Sequence, residues 1–357
     1  MMPKPVDVVI AVHNPKRPIA RAVASVLEGN DVHASLTVVC HNVARAEIAA
    51  VLAPEHRDRV RFLEHSDPRP SASGPFNAGM GASQGEFVSI MGSDDWLEPG
   101  AVASWLATAR RTGAETVITR LAIGRPGRPI HTPPTRPFRR SLLDPVRDRL
   151  SYRSAPLGLV SAAARHRLGA SLVEGAVVGG DVSYVTRLWF ETRVAYDRRG
   201  PAYVVGEDAS DRVTFAPRPI DVELAFVRQL LAEDWFAGYS GAARQSVCAK
   251  VTRIHLFGAV YNRPELAFWT DAERVALATV ARRLAEAAPG YENVLSLADG
   301  HLLRCIRSRR YGADAMIAAS RARRRHGVPA TVITQDLRHL LHVEGPIRLM
   351  AASALVR

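Results

Sequence analysis

The first 124 residues alternate between short apolar runs and segments whose apolar residues recur at helical spacing. The runs are rich in β-branched residues, which predicts buried strands over 6–12, 35–42, 59–65, 85–94 and 115–124. Helices are predicted between them, over 19–27, 45–53, 76–83 and 100–113. This alternation is typical of an open α/β sheet with mostly parallel strands.

Polar side chains follow the predicted strands where each strand ends. His13, His41, Asp67 and Asp94 each lie at or just past such an end. In open α/β sheets the ligand lies at the carboxyl ends of the strands. We therefore expect these four residues to converge on one crevice and to form a binding site.

The rest of the chain indicates a second domain. Residues 141–215 return to mixed structure, whereas the chain from about Asp221 onward has helical patterns, including a capping-box spacing at Thr270–Glu273. We predict an α/β domain over 1–220 and an all-helical domain over 221–357. Between the fifth strand and this mixed region, residues 125–140 carry five Arg, no acid and several prolines. The prolines argue against regular structure there, leaving either an exposed linker or a mobile basic loop over an anionic ligand.

The formal net charge of +12 favours an anionic partner. Residues 301–357 hold eleven Arg against three acids, so much of the excess lies at the C-terminus. A generally arginine-rich composition would account for the total without any ligand. The three cysteines are far apart and odd in number, which indicates reduced thiols, and no Cys/His spacing suggests zinc.

Neither a secretory leader nor an apolar run of about 18 residues is recognisable in the sequence. We therefore expect a cytoplasmic protein. The basic C-terminus also suits peripheral contact with the inner face of a membrane.

Asp94 and Asp95 stand side by side at the end of the fourth predicted strand. Two adjacent carboxylates repel unless a cation joins them, and Mg²⁺ or Mn²⁺ prefers oxygen ligands. Such an ion usually completes its shell with water and substrate phosphates, so the pair predicts a metal–diphosphate site. The alternative is that the acids cap the following helix, since Glu98-Pro99 suits a first helical turn.

Four segments of the first 215 residues resemble family 2 glycosyltransferases. They are "VVIAVHNPKRPIARAVASVLEG", "TVVCHN", "SASGPFNAGMGASQGEFVSIMGSDDWLEPGA" and "VEGAVVGGDVSYVTRLWF". The resemblance implies a GT-A fold, a Rossmann-like and mostly parallel α/β catalytic domain, here followed by the helical domain. Members that glycosylate wall teichoic acid or other cell-envelope polymers are the most similar.

The resemblance also implies roles for individual residues. Asp94, with Asp95 beside it, would hold Mn²⁺ or Mg²⁺, although Gly92 stands where the motif has its first acid. The residues implied to bind the donor are Ala11, His13, Asn14, His41, Asp67, Asn77, Ser93 and Arg212. Cys40-His41-Asn42 replaces the acid that often bonds uracil, and Phe76 replaces an Arg before Asn77. Arg212 is a candidate replacement for that diphosphate contact.

Asp181 matches the second acid of the family's Glu-Asp pair, with Gly180 in place of the Glu. The resemblance implies that Asp181 is the general base. A carboxylate that takes the proton of an acceptor hydroxyl contributes about 10²–10⁴-fold to an inverting displacement. Taken alone, Asp181 would also serve as the N-cap of the helix that follows it.

These residues lead to one main functional hypothesis and two alternatives. The first is an inverting glycosyltransferase that moves a sugar from a nucleotide donor, a UDP-sugar, to a hydroxyl of an anionic envelope polymer or lipid-linked acceptor. The second is a non-catalytic nucleotide-binding scaffold whose basic domain binds anionic polymer, membrane or nucleic acid. Nucleic acid is disfavoured because Tyr311 is the only aromatic residue over 301–357.

A nucleotidyltransferase ranks last, because the loop after the first strand lacks glycines. The role of the helical domain stays open between acceptor binding, self-association as a homo-oligomer, and docking on a membrane-bound partner.

Overall fold

The computed structural model describes residues 4–69, 71–139, 141–208 and 218–356. Its centre is a seven-stranded sheet in the order β10-β6-β9-β4-β1-β2-β3. The strands of this sheet are β1 Val6–Val12, β2 Ala34–His41, β3 Val60–His65, β4 Phe87–Gly92, β6 Thr116–Thr119, β9 Gly158–Ser161 and β10 Val194–Asp197. β1 pairs in parallel with both β2 and β4, as β2 does with β3 and β6 with β10.

One strand of the sheet was not predicted. β9 lies between β4 and β6 and runs antiparallel to both. It brings the chain back across the sheet after the Pro/Arg-rich segment. The expected α/β architecture with a mostly parallel sheet is nevertheless confirmed.

Helices cover both faces of this sheet, as side chains that alternate along each strand require. Val8 and Ile10 of β1 pack on one face with Val23, Val26 and Trp105. Val9 points to the other face, into a cluster that includes Met80, Tyr184 and Trp189. The helices of this part are α1 Ile19–Leu27, α2 Arg45–Ala50, α3 Pro54–Arg57, α4 Ser73–Ala82, α5 Ala101–Thr112, α6 Ala162–Leu168 and α7 Val182–Glu191.

A smaller sheet has the order β5-β11-β7-β8. Its strands are β5 Trp96–Leu97, β7 Leu121–Ile123, β8 Arg128–Ile130 and β11 Tyr203–Val205. The expectation that the prolines of 125–140 exclude regular structure is therefore wrong for Arg128–Ile130. β8 is an edge strand, where Pro129 need not donate to a ladder. Further along, Arg136 forms an ion pair of 2.7 Å with the buried Asp148, which anchors this segment.

From Ile220 onward the described chain is helical and builds its own core around Phe257, Leu277 and Tyr291. Its α-helices are α8 Ile220–Glu223, α9 Ala225–Ala232, α10 Asp234–Ala237, α11 Gly241–Lys250, α12 Phe257–Tyr261, α13 Asp271–Ala287, α14 Leu297–Arg307, α15 Ala313–Ala322, α16 Pro329–Val332 and α17 Pro346–Leu355. A π-helix, Val251–Leu256, joins α11 to α12. Of the helices in the described ranges, none has the length and apolar character needed to cross a bilayer.

Candidate active site at the carboxyl edge of the sheet

The strand register brings the polar strand ends to one edge of the sheet. Ala11 of β1 pairs with Gly92 of β4, and Val12 pairs with Cys40 of β2. His41 of β2 pairs in turn with His65 of β3. The residues that follow β1, β2, β3 and β4 therefore lie in a row, and the row includes His13, His41, Asp67 and Asp94.

Asp94 is buried at the end of β4 and is paired with an arginine from the loop after β1. Its Oδ1 lies 2.7 Å from Nη2 of Arg17. The Nε of the same guanidinium donates to Oγ of Ser93 at 2.6 Å. Ser93 and Asp94 thus face the β1–α1 loop, which holds the implied donor-binding residues His13 and Asn14.

Asp95, unlike Asp94, has uncharged protein partners for both carboxylate oxygens. The Tyr203 hydroxyl donates to Oδ2, and the Gly206 backbone N–H donates to Oδ1 at 2.8 Å. Burial raises the pKa of Asp95, although these hydrogen bonds oppose the rise. A Cβ added at Gly92 would lie 2.5 Å from the Asp95 carboxylate. That carboxylate therefore fills the space that a side chain at position 92 would need.

The capping alternative for the two acids is wrong. The chain after them forms β5, and α5 begins only at Ala101. Gly100, in the left-handed conformation at φ +77°, is the N-cap of that helix.

The side chains present could hold a divalent cation only if a bound ligand supplied further oxygen atoms. Asp94 offers one carboxylate, and both oxygens of Asp95 are already engaged. Within the described ranges, no group of three or more His, Cys, Asp or Glu side chains is arranged to hold a metal. A magnesium-type ion on one carboxylate takes its other ligands from water and phosphate, so the site suits a cation that arrives with the donor.

At the other end of the row, two imidazoles meet one carboxylate. Asp67 Oδ1 lies 3.2 Å from Nε2 of His41, and its Oδ2 lies 2.9 Å from Nε2 of His65. Asn42 adds a bond of 2.8 Å to the Asp67 carbonyl. The bonds from His65 and from the Arg69 backbone lower the pKa of Asp67 to about 2. His65 was not among the predicted site residues; its place at the end of β3 was the available signal.

The loop after β1 holds the remaining predicted nucleoside contacts. Ala11 is half-buried near the end of β1, and His13 is exposed beyond it. The side-chain oxygen of Asn14 accepts from the Lys16 backbone at 2.9 Å and so shapes the turn. All three lie along the carboxyl edge, and their contact with a nucleoside stays a prediction.

Sequence reasoning also missed Arg21, an arginine beside the acidic motif. Its guanidinium donates to the Asp94 carbonyl, pairs with Asp208 at 2.6 Å, and lies 4.5 Å from the Trp96 ring centroid. Arg125 lies near the same ring at 4.9 Å. The predicted diphosphate contact, Arg212, lies outside the described residues.

Asn77 is tied to the segment that leads to Asp181. Its Nδ2 donates to the Leu172 carbonyl at 2.9 Å and to Glu174 at 3.1 Å, and its Oδ1 accepts from the Leu172 backbone at 3.0 Å. Arg69 also reaches Glu174, at 3.2 Å. These bonds hold the segment against α4, and a donor contact by Asn77 stays a prediction.

Asp181 is the N-cap residue of α7, yet its carboxylate makes no capping hydrogen bond. The simple capping alternative is therefore wrong, and the side chain is free of that structural task. A Cβ at Gly180 would lie 2.7 Å from Oγ of Ser73, so no glutamate fits there in this backbone. Burial raises the pKa of Asp181, as a group that takes up a proton requires.

Comparison with known proteins assigns part of the chain to a family. The family described as Glycosyl transferase family 2 matches residues 7–167. The succinoglycan biosynthesis protein ExoO of Rhizobium meliloti (strain 1021) is 31% identical over 119 residues. That match covers 33% of this chain and 33% of the relative.

Solved structures extend the similarity in fold to most of the chain. S. aureus TarS 1–349 in complex with UDP-GlcNAc superposes with a TM-score of 0.69 at 13% identity, covering 89% of this chain and 91% of TarS 1–349. The same TarS fragment with UDP gives a TM-score of 0.65 at 14% identity, with the same coverage. The common fold therefore includes both the α/β part and most of the helical part.

Proposed function

We propose that this chain, whose residues 7–167 form a glycosyl transferase family 2 domain, is an inverting glycosyltransferase that uses a nucleotide-sugar donor. The observation that carries the proposal is the row of polar residues along the carboxyl edge of the sheet. Asp67 and His41 lie at one end of this row and Asp94 at the other. Three strand spacings of about 4.8 Å separate β3 from β4, roughly 14 Å, which suits a nucleoside diphosphate.

In this arrangement the β2–β3 end receives the base and ribose, and the β4 end receives the diphosphate. Asp67, held by two imidazoles, belongs to a fixed polar cluster that can contact the base or ribose. Arg17 and Ser93 lie where the phosphates would approach Asp94. A UDP-sugar is the donor we propose, in line with the UDP-GlcNAc and UDP complexes of TarS.

Asp94 would hold Mn²⁺ or Mg²⁺ together with the donor diphosphate. Bound there, the cation would neutralise charge on the departing phosphates. Arg17, already beside Asp94, supplies positive charge at the same place from the chain itself. We assign the ligand role to Asp94 rather than to Asp95, whose oxygens are used by Tyr203 and Gly206.

Asp181 acts as the general base in this proposal. Its carboxylate takes the proton of the acceptor hydroxyl while the acceptor oxygen bonds to the anomeric carbon. The bond from that carbon to the donor phosphate breaks in the same step, and its electron pair leaves with the nucleoside diphosphate. Attack opposite the leaving group inverts the configuration.

The acceptor we propose is an anionic envelope polymer or a lipid-linked precursor. Its support is a cavity of about 300 Å³ in the helical region that Arg304, Arg307 and Arg310 line together with Glu292, the ion-pair partner of Arg307 at 2.6 Å. The name of ExoO, a succinoglycan biosynthesis protein, also fits envelope polysaccharide synthesis.

The test is a panel of nucleotide sugars, assayed for binding and for nucleoside diphosphate release with Mn²⁺ and with EDTA. We expect one donor class to bind and to turn over. Asp94→Asn should weaken donor binding at least tenfold in Mn²⁺, and Asp181→Asn should lower kcat by 10²–10⁴-fold with donor binding kept. Product analysis by NMR would give the anomeric configuration.

Two outcomes would contradict the proposal. One is the absence of diphosphate release with any donor and acceptor, together with unchanged nucleotide binding in Asp94→Asn. The other is retention of anomeric configuration. Tight binding of anionic polymer without any transfer would instead favour the non-catalytic scaffold.

A further inference from the structure

The helical region reaches the segment that carries Asp181. Phe226 of α9 packs directly on the backbone before Asp181, since a Cβ at Gly179 would lie 2.5 Å from Phe226 Cγ. The Phe226 ring also meets the His255 ring edge-on, with 4.9 Å between their centroids. α9 therefore contacts the segment before the proposed base, and the π-helix, through His255, contacts α9.

A buried lysine contacts His255. Lys250, the last residue of α11, is 3% exposed. Its Nζ lies 2.9 Å from Nε2 of His255. A lysine ammonium only donates, so Nε2 of His255 is the acceptor and the imidazole proton is on Nδ1. Burial, together with the charge of Lys250, holds the pKa of His255 well below its usual value, which keeps the ring neutral.

The π-helix is what lets these two side chains meet. In an α-helix of 3.6 residues per turn, positions five apart lie about 140° from each other around the axis. The wider turn of Val251–Leu256 brings Lys250 and His255 onto one side. Single π turns of this kind occur frequently at functional sites.

The charges around Lys250 are few. Among the described residues no carboxylate lies within ion-pair distance of its amine, and the charge that acts on it is that of Asp181. Lys250 is in turn the charge that acts on Asp181, and the one that acts on His255. Burying an ammonium without a direct counter-ion opposes folding, so a folded protein that keeps it points to another use.

On the basis of the transfer activity proposed above, we propose that the helical region completes the active site. Lys250, held in place by His255, is a positioning residue whose positive charge favours the ionised form of the Asp181 carboxylate, ready to take the acceptor proton. The structure supports this role by geometry, since α9 and the π-helix fix the base segment and the lysine together.

Electrostatics gives the direction of the effect. Burial raises the pKa of Asp181, and the positive charge of Lys250 works against that rise. Burial lowers the pKa of Lys250 to about 8, while Asp181 opposes that change. At neutral pH the lysine therefore remains mostly protonated, and its loss would shift the working range of the base to higher pH.

The test is the pH profile of kcat for Lys250→Met at saturating donor and acceptor. Met keeps the length of the side chain and removes the charge. We expect the acidic limb to move up by about one pH unit, with about a tenfold loss on that limb and near wild-type kcat above pH 8.5. Donor binding should stay unchanged. Lys250→Arg, which keeps the charge, should restore part of the shift, and His255→Gln, which keeps an acceptor, should shift the limb less.

An unchanged profile in folded Lys250→Met would overturn the inference, and so would an equal loss at every pH. Circular dichroism and thermal melts establish that the variant is folded. If the wild-type chain transfers no sugar, the proposed function fails. The effect of Lys250 on the Asp181 carboxylate can still be measured without any transfer activity. NMR titration of the carboxyl ¹³C of Asp181 should show a higher pKa in Lys250→Met, and equal values would reject the coupling.

Discussion

At the scale of single residues, neighbouring acids have different surroundings and therefore different tasks. Asp94 faces the β1–α1 loop and meets Arg17, whereas Asp95 turns back to Tyr203 and Gly206. The sequence shows two adjacent carboxylates at a strand end, and that was enough to locate the site. Which of the two is available to a ligand depends on Tyr203, which is 108 positions away in the chain.

Arg17 places a built-in cation beside Asp94, and we expect it to compete with a divalent ion. Arg17→Gln should lower the Mn²⁺ concentration needed for half-maximal donor binding, because the competing charge is gone. In EDTA the same variant should bind donor about 10–100-fold more weakly, since a charge-assisted contact contributes roughly 1.5–3 kcal/mol. Titration calorimetry with UDP in Mn²⁺ and in EDTA measures both effects.

Arg110→Gln is a matched control for this prediction, because it removes one positive charge from an exposed position near the end of α5. It should leave both titrations unchanged. Equal UDP affinity of Arg17→Gln and wild type in EDTA would show that Arg17 makes no contribution at the phosphates.

The buried charge of Lys250 should reduce the free energy of unfolding, although the same charge favours the ionised form of Asp181. Its pKa is about 8 in the folded state against about 10.4 in an unfolded chain, so the unfolded state binds more protons between these values. The free energy of unfolding should therefore rise with pH from 8 to about 10.4. Below pH 8 the penalty is fully present, and Lys250→Met should be more stable there by up to roughly 3 kcal/mol.

Urea melts of wild type and Lys250→Met at pH 7 and pH 10 measure this difference. The gain in the variant should shrink toward zero at the higher pH. A variant that is less stable than wild type at pH 7 would show that the buried amine has a stabilising partner.

At the scale of elements, most of the sheet was predictable and its insertions were not. The buried strands β1, β2 and β4 have mostly apolar runs that carry a local signal, whereas β3 mixes apolar residues with the exposed Arg61 and Glu64. β9, with only four residues, has no such signal and is defined by its antiparallel neighbours β4 and β6. Similarly, one run predicted over 115–124 splits into β6 and β7, which belong to different sheets.

The site shows the same contrast between residues that have a local sequence signal and residues that have none. Asp94 and Asp181 belong to recognisable motifs, whereas the roles of His65, Arg21 and Lys250 follow from contacts that no motif predicts. The π-helix that joins Lys250 to His255 has no sequence pattern that we could identify beforehand. What sequence reasoning could not supply was therefore the set of groups that surround and tune the predicted acids.

Asn77 connects α4 to the segment before Asp181, and we expect its loss to affect the base more than the donor. Asn77→Ala removes three hydrogen bonds and should reduce the free energy of unfolding by about 1–3 kcal/mol. It should also lower kcat, because the segment leading to Asp181 is released from α4. Chemical denaturation, UDP binding and kcat are the three measurements.

Asn77→Asp is the matched variant, since it keeps the acceptor for the Leu172 backbone and loses the two donated bonds. Because its new carboxylate oxygen would face Glu174 and the Leu172 carbonyl, it should lose at least as much stability as Asn77→Ala, and the excess should shrink when Glu174 is protonated at low pH. Wild-type stability combined with weakened UDP binding in Asn77→Ala would instead establish the donor contact implied by the family resemblance.

At the scale of the whole molecule, a buried polar network fastens the helical region to the α/β part. Glu344 is 2% exposed and accepts from Ser246 at 2.9 Å, from Tyr152 at 3.0 Å and from Arg253 at 3.2 Å. Tyr152 lies in the α/β part, whereas the other three belong to the helical region. Arg149 adds a bond of 2.7 Å across the same boundary to the Val343 carbonyl.

This network is expected to make the two parts unfold together. Glu344→Ala would leave the Arg253 guanidinium buried, with Asp299 as its nearest remaining carboxylate at 3.8 Å. Removing one partner of a buried ion pair costs about 3–5 kcal/mol. Tyr152→Phe removes the hydrogen bond that the hydroxyl donates to Glu344 and the one that it accepts from Arg253 at 2.8 Å, and should cost at least about 1.5–3 kcal/mol. If these contacts make the two parts unfold together, both variants should shift a single thermal transition.

A double-mutant cycle of Tyr152→Phe and Glu344→Ala isolates the part of this energy that crosses the boundary. Because the two side chains share one hydrogen bond, their effects should be non-additive by about 0.5–3 kcal/mol. The coupling matters for catalysis because Lys250 is connected through His255 and Phe226 to the segment before Asp181 only while the helical region stays docked. Additive effects, or two separate transitions in the wild type, would mean that the helical region is held in place by contacts other than this network.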